Sequence, residues 1–221
     1  MFVGCAQTAY HSSTTNIMSK ASHRFLALGD SYTIGESVDP RERWPIHLVH
    51  MLRDENVAMD DPLIIARTGW TTDELDRAID DADPHGPFDL VSLLIGVNNQ
   101  YRGRGAEEYR KEFRDLLQRA IDFAGGNATH VVVLSIPDWG VTPFAGGRDR
   151  QKIAREIDLF NAINSEESAS AGVGYVDVTP VSRLAASDAT LVAGDGLHPS
   201  GKMYADWARL TLPKVLSMFK K

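Results

Sequence analysis

Short, almost wholly apolar runs alternate along this chain with longer stretches of helical periodicity, and this alternation limits the folds open to it. Helices are predicted over about 43–56, 71–79, 106–123, 149–168 and 200–218, and we expect Pro213 to bend or interrupt the last one. Apolar strands separated by helices indicate a parallel β-sheet covered by helices on both faces, an α/β fold. The apolar runs are 25–28, 63–66, 90–95, 130–136 and 174–178.

Residues suited to catalysis follow these runs. Ser31 follows the first run, Gly69 the second and Asn98 the third, whereas Asp195 and His198 precede the last predicted helix. In an open parallel sheet, ligands bind beyond the carboxyl ends of the strands. We therefore expect these distant positions to form a single site at that edge of the sheet.

The chemistry predicted for this site is nucleophilic attack by a serine. Ser31 is the candidate nucleophile, and His198 is the base that takes its proton. Asp195, three residues earlier, accepts a hydrogen bond from the other imidazole nitrogen and fixes the tautomer. The backbone N–H groups of Ser31 and Gly69 and the side-chain amide of Asn98 are the candidate oxyanion hole. A glycine at 69 also removes a side chain that would block approach to its N–H.

Each of these residues also has an ordinary structural interpretation. A serine after a strand is commonly a turn or cap residue, Gly69 is equally a turn glycine, and asparagine commonly satisfies loop backbone groups. His198 before a proline fits a helix cap. The catalytic interpretation depends on all of the positions occurring together.

Composition excludes several other classes of protein. The 221 residues suit one domain with a sizeable core, which we assign to 23–221. A net charge of −7 argues against nonspecific binding to nucleic acid or anionic membrane, and no apolar stretch is long enough to span a bilayer. Cys5 is the single cysteine, and the histidines lack metal-ligand spacing, so we expect no disulfide and no metal.

The first 22 residues are rich in Ser, Thr and Ala and are predicted to be a disordered leader. Phe2-Val3-Gly4-Cys5 loosely resembles the end of a bacterial lipoprotein signal, but the apolar region of a secretory signal is missing. As the chain stands we expect a cytoplasmic protein. A start codon further upstream would make it periplasmic or lipid-anchored through Cys5.

Four sequence blocks resemble those of the SGNH (GDSL) esterase and lipase family. They are Gly29-Asp30-Ser31, Gly69, Gly96-Val97-Asn98 and Asp195-x-x-His198, in the family's order. The resemblance implies a three-layer α/β/α sandwich with a five-stranded, flavodoxin-like sheet, a serine-esterase mechanism and no cofactor. It also assigns these residues the catalytic and oxyanion roles given above. Asn99 departs from the pattern, because the family usually has aspartate there, and we expect only modest effects on local hydrogen bonding.

The predicted reaction is hydrolysis of a small carboxylic ester through an acyl-enzyme, with short acyl or acetyl groups favoured because no long lid segment is evident. Lysophospholipids and thioesters are the alternatives within the family. A noncatalytic module that binds a glycan or other ligand on the same fold is the alternative outside it. Candidate pocket residues are Tyr32, Trp70, Trp139 and Leu197, and the segment 136–144 is expected to border the pocket. The sequence leaves the oligomeric state open.

Overall fold

The structure is a computed structural model that describes Met1 and residues 22–220. Cys5 and nearly all of the predicted leader lie outside the described residues, so the leader, its lipidation and the domain boundary at 23 stay predictions. Within residues 22–220, no helix combines the length and apolar composition needed to cross a bilayer.

The described residues form a five-stranded sheet in which every neighbouring pair is parallel, in the order β2-β1-β3-β4-β5. Leu28 on β1 pairs with Ile65 on β2 and with Leu93 on β3. The predicted parallel α/β sheet is therefore confirmed. The strands are β1 (Phe25–Gly29), β2 (Leu63–Ala66), β3 (Leu90–Leu94), β4 (Val131–Leu134) and β5 (Gly174–Val176).

Eight α-helices connect and follow these strands in the described part of the chain. Their starts agree with local chemistry: Pro45 lies in the first turn of α2, Thr71 and Glu74 form a capping box on α3, and Ser200 caps α8. The helices are α1 (Ser31–Ile34), α2 (Trp44–Asp54), α3 (Thr72–Ala82), α4 (Val97–Tyr101), α5 (Ala106–Phe123), α6 (Arg150–Ser170), α7 (Thr179–Arg183) and α8 (Gly201–Phe219).

The direction of the connections assigns the helices to two layers. From β1 the chain passes through α2 to β2 at one edge of the sheet. It then moves in the opposite direction, through α3 to β3, through α5 to β4 and through α6 to β5. Because such crossovers are right-handed, α2 lies on one face and the other three helices lie on the opposite face. In agreement with this, α2 packs against α8, and α5 packs against both α3 and α6.

The core lies between these layers and the sheet. Every residue of β1, β3 and β4 is buried, whereas the edge strand β2 leaves Leu63 46% exposed. Trp44 on α2 and Trp207 on α8 are among the largest fully buried side chains. Burial therefore falls from the three central strands to the edge strand β2, although the sequence of β2 is also wholly apolar.

The expected fourth and fifth strands are longer than the observed ones, and the last helix continues past Pro213. The run 130–136 contains only the strand Val131–Leu134. The run 174–178 ends as a strand at Val176, because Asp177 turns the chain and its Oδ1 accepts the N–H of Thr179 at 3.0 Å. Pro213 does not interrupt α8, which continues to Phe219.

Candidate active site

Ser31 begins the short helix α1, directly after β1. Gly29 permits this tight turn, because a Cβ atom there would lie 2.5 Å from the Leu94 carbonyl oxygen. Asp30 caps the helix, and its Oδ1 accepts the N–H of Tyr32 at 3.0 Å. A helix leaves its first N–H groups unpaired. Ser31 therefore presents its hydroxyl at the sheet edge together with an N–H that has no partner among the described residues.

Asp195 and His198 are joined through a tight turn before α8. His198 Nδ1 lies 2.6 Å from Asp195 Oδ2. Gly196 adopts a left-handed backbone with φ +72°, and Asp195 Oδ1 accepts the N–H groups of Leu197 at 2.9 Å and of His198 at 3.0 Å. The carboxylate thus holds both the ring and the backbone of the histidine. A proton on Nδ1 leaves Nε2 as the acceptor nitrogen.

Ser37 supplies a further hydrogen bond to this carboxylate. Its hydroxyl donates to Asp195 Oδ2 at 2.8 Å across 158 residues of sequence. Partial burial opposes ionisation of Asp195, but the bonds from His198, from the backbone N–H groups and from Ser37 outweigh it and hold the pKa of Asp195 well below its usual range. The carboxylate is consequently anionic throughout the ordinary pH range. Sequence reasoning missed Ser37, since no local pattern links it to Asp195.

Gly69 lies in the turn between β2 and α3 with φ +87°, a left-handed conformation that favours glycine. Its N–H has no hydrogen-bond partner among the described residues. A Cβ atom added at this position would meet nothing closer than Arg102 Nη2, at 3.9 Å. Within the protein itself, the backbone conformation rather than lack of space is therefore the reason for a glycine here.

Asn98 lies in the first turn of α4, and its side chain faces the loop that contains Gly69. Its Nδ2 donates to the Trp70 carbonyl oxygen at 2.9 Å. A side-chain amide has two N–H groups, so one of them remains for a ligand. The bond to Trp70, the residue after Gly69, thus holds the Asn98 amide close to Gly69.

Ser31, Gly69, Asn98 and His198 all line one cavity of about 160 Å³. The structure therefore brings the four predicted blocks to one place, with Asp195 behind the histidine. No hydrogen bond joins the Ser31 hydroxyl to the imidazole within the described part of the chain; such bonds are commonly long in ligand-free enzymes. The rest of the lining is mainly apolar: Tyr32, Thr68, Val97, Tyr101, Trp139, Phe144 and Leu197.

Three aromatic rings form one wall of this cavity. The ring centroid of Trp139 lies 5.4 Å from that of Tyr101 and 5.9 Å from that of Phe144. The Arg148 guanidinium lies over all three rings, at 5.1 to 5.4 Å from their centroids. The Phe144 N–H donates to the Gly196 carbonyl oxygen at 2.9 Å, which ties this wall to the turn that carries the histidine.

The predicted pocket residues do not all occupy the lining. Tyr32, Trp139 and Leu197 line the cavity, but Trp70 lies outside the lining and packs against the core while its carbonyl accepts from Asn98. Tyr101 was not predicted. The available signal was its spacing, because a residue three positions after Asn98 shares its helix face.

Asn99, the departure from the usual family pattern, lies in a polar network between three helices. Its Oδ1 accepts the N–H of Thr72 at 3.1 Å, and its Nδ2 donates to Thr72 Oγ1 at 2.6 Å. That hydroxyl in turn donates to Glu112 on α5. The Asn99 side chain supplies an N–H donor that an aspartate would lack, and the Glu112 carboxylate already lies in this network.

Among the described residues, no three His, Cys, Asp or Glu side chains are arranged to hold a metal ion. The groups that line the cavity are a hydroxyl, an imidazole, N–H donors and apolar rings. These groups suit attack on a polarised carbonyl.

The fold and the site define an α/β protein whose candidate serine and histidine line one cavity at the carboxyl edge of a parallel sheet. Residues 27–205 match the model of the GDSL-like lipase/acylhydrolase family, and the chain belongs to that family. No significant match is found among curated protein sequences.

Solved structures of similar fold cover most of this chain. The structure of TesA has 18% identity and a TM-score of 0.68, covering 88% of this chain and 99% of its own. Esterase EstA from Pseudoalteromonas sp. has 14% identity and a TM-score of 0.65, covering 90% of this chain and 100% of its own. The acetylxylan esterase Axe2 from Geobacillus stearothermophilus has 18% identity and a TM-score of 0.67, covering 87% and 94%. At these identities the likeness establishes the SGNH-hydrolase fold, and the family supports a hydrolase that acts on esters.

Proposed function

We propose that this protein is a serine esterase that hydrolyses small carboxylic esters through a covalent acyl-enzyme. Ser31 is the nucleophile, His198 the general base and acid, and Asp195 the residue that orients and stabilises the imidazolium. Ser31 N–H, Gly69 N–H and the Asn98 amide form the oxyanion hole.

One observation carries this proposal: the bond of 2.6 Å between His198 Nδ1 and Asp195 Oδ2 lies beside a cavity that Ser31, Gly69 and Asn98 also line. Any one of these residues alone fits a turn or a cap. A hydroxyl, an oriented imidazole and two further N–H donors around one cavity are the set that acyl transfer requires.

The reaction has two halves. In acylation, Ser31 Oγ attacks the ester carbonyl carbon while His198 Nε2 takes the hydroxyl proton; the bond to the alcohol oxygen then breaks, and the alcohol leaves with that proton. In deacylation, a water gives a proton to His198 and attacks the acyl carbon. The bond to Ser31 Oγ breaks, the serine recovers the proton and the carboxylic acid leaves.

The size of the cavity supports short acyl groups. An apolar cavity of roughly 150 Å³ holds a group the size of benzene, and the cavity here is about 160 Å³. An acetyl or butyryl group fits this space together with part of the alcohol. A long acyl chain would exceed this volume.

The test is hydrolysis of p-nitrophenyl acetate, butyrate and octanoate by the wild type and by Ser31→Ala. We expect kcat to fall on the order of 10⁶-fold, the typical cost of losing a serine nucleophile. The matched control is Ser187→Ala, which removes an exposed hydroxyl that, among the described residues, bonds only to the Leu184 carbonyl, and it should leave turnover unchanged.

Two outcomes would contradict parts of this proposal. Equal release of nitrophenol by the wild type and Ser31→Ala would contradict the role of Ser31, and release by both at the uncatalysed rate would favour a noncatalytic binding module. A higher kcat/KM for octanoate than for acetate would contradict the preference for short acyl groups and favour long-chain substrates such as lysophospholipids.

A further inference from the structure

The end of α4 holds the turn that carries Gly69. Arg102 directly follows α4, and its Nη2 donates to the Gly69 carbonyl oxygen at 2.6 Å. Its Nη1 donates to Glu74 Oε1 at 3.1 Å. The other oxygen of Glu74 accepts the N–H of Thr71 at 2.9 Å. The guanidinium is therefore fixed between the turn and the start of α3.

The same helix fixes the next carbonyl of the turn. Asn98, one helical turn before Arg102, donates to the Trp70 carbonyl oxygen at 2.9 Å. Two side chains from one helix face thus hold two consecutive carbonyl groups, those of Gly69 and Trp70. The Gly69 N–H remains without a partner in residues 22–220.

Gly69 is the residue of this turn that most needs such restraint. Glycine adopts left-handed and right-handed conformations almost equally readily, so its φ of +87° is not fixed by its own sterics. A misplacement of about 1 Å in a catalytic group can reduce a rate about 100-fold. The direction of the Gly69 N–H therefore depends on contacts from outside the turn.

We propose that Arg102 is a positioning residue of the oxyanion hole: its bond to the Gly69 carbonyl holds the Gly69 N–H in register with the Asn98 amide. This inference rests on the proposed esterase function. The Arg102 side chain is 42% exposed, so its ion pair with Glu74 adds little to folding stability. Its contribution is to the geometry of the turn.

The experiment compares wild type, Arg102→Gln and Arg102→Lys with p-nitrophenyl acetate as substrate. We expect Arg102→Gln to lower kcat roughly 10- to 100-fold, with KM and the thermal midpoint nearly unchanged. Arg102→Lys should recover part of the loss, because an ammonium group can still donate to one carbonyl oxygen. The rate at which paraoxon phosphorylates Ser31 should fall by a similar factor, since its phosphoryl oxygen occupies the same oxyanion hole.

The matched control is Arg104→Gln. Arg104 lies two residues away and pairs with Asp73 at 2.7 Å and with Glu112 at 3.7 Å; within the described part of the chain it makes no bond to the Gly69 turn. Unchanged kcat in Arg102→Gln, or an equal loss in Arg104→Gln, would overturn the inference. A Ser31→Ala variant as active as the wild type would instead overturn the esterase proposal, so the two failures are distinguishable.

Discussion

Asp30 is fully buried directly behind the proposed nucleophile, and only one of its oxygens has a partner. Oδ1 accepts the Tyr32 N–H, whereas Oδ2 makes no hydrogen bond within the described residues. Burial raises the pKa of Asp30 from 3.8 to about 7, against the smaller opposing effect of the backbone bonds. The cap of the Ser31 helix is thus a carboxyl group that is costly to ionise.

This shift gives a prediction for stability against pH. The folded protein keeps the Asp30 proton to higher pH than the unfolded chain does, so the contribution of this carboxyl to the free energy of unfolding falls as pH rises from 3.8 to about 7. Asp30→Asn keeps an oxygen for the Tyr32 N–H but removes the titration. Urea unfolding across this interval should show the wild type losing stability relative to the variant as pH rises. Parallel curves would contradict the prediction.

Single residues also mark the limit of prediction from sequence. Five site residues are predicted from the sequence because each lies beside a strand end or a helix start. The structure places four of them around one cavity and Asp195 directly behind His198; the four are Ser31, Gly69, Asn98 and His198. Ser37 and Arg102 were not predicted. Their partners, Asp195 and Gly69, lie in loops 158 and 33 residues away, and no local pattern links such distant positions.

At the scale of elements, the five residues of α4 connect three parts of the site. Asn98 faces the Gly69 turn, Tyr101 lines the cavity, and Asn99 bonds to Thr72 at the start of α3. A helix this short has no detectable periodicity and was not predicted. The longer α5, with several turns of amphipathic pattern, was predicted at its observed bounds of Ala106–Phe123.

The network of Asn99 predicts a coupled pair of substitutions. Asn99→Asp removes the donor to Thr72 Oγ1 and places a second carboxylate beside Glu112, which should cost about 1–3 kcal/mol of unfolding free energy. Adding Glu112→Gln reverses the direction of the hydrogen bonds. The new amide at position 112 can donate to the Thr72 hydroxyl, and that hydroxyl can donate to the new carboxylate at position 99. The double variant should therefore be more stable than the sum of the single losses predicts, as measured by denaturant unfolding in a double-mutant cycle. Strictly additive losses would show that the two positions do not interact.

At the scale of the whole molecule, burial divides the sheet into a centre and two edges. All residues of β1, β3 and β4 are buried, while β2 and β5 are only partly so. The alternation of apolar runs and helices predicted the parallel sheet because it reflects this burial. The walls of the cavity were less predictable, since they combine residues of the short helices α1 and α4 with residues of the segments between the regular elements.

This division predicts the order of amide exchange. Backbone N–H groups of β1, β3 and β4 should exchange with deuterium only through global unfolding, and those of β2 and β5 should exchange earlier through local opening. Hydrogen exchange followed by mass spectrometry or NMR would measure this order. Uniform protection across all five strands would contradict it.

The hydrogen bond from the Phe144 N–H to the Gly196 carbonyl has a practical consequence for redesign. This bond joins the segment that lines the cavity with Trp139 and Phe144 to the turn that carries the proposed base, so neither segment can be redesigned independently of the other. Libraries that exchange residues around 139–145 to admit new substrates should keep an N–H at 144, which excludes proline there. Variants that lose the Phe144–Gly196 hydrogen bond would combine altered selectivity with a displaced imidazole. A screen for activity would then reject them even where the new pocket binds the intended substrate.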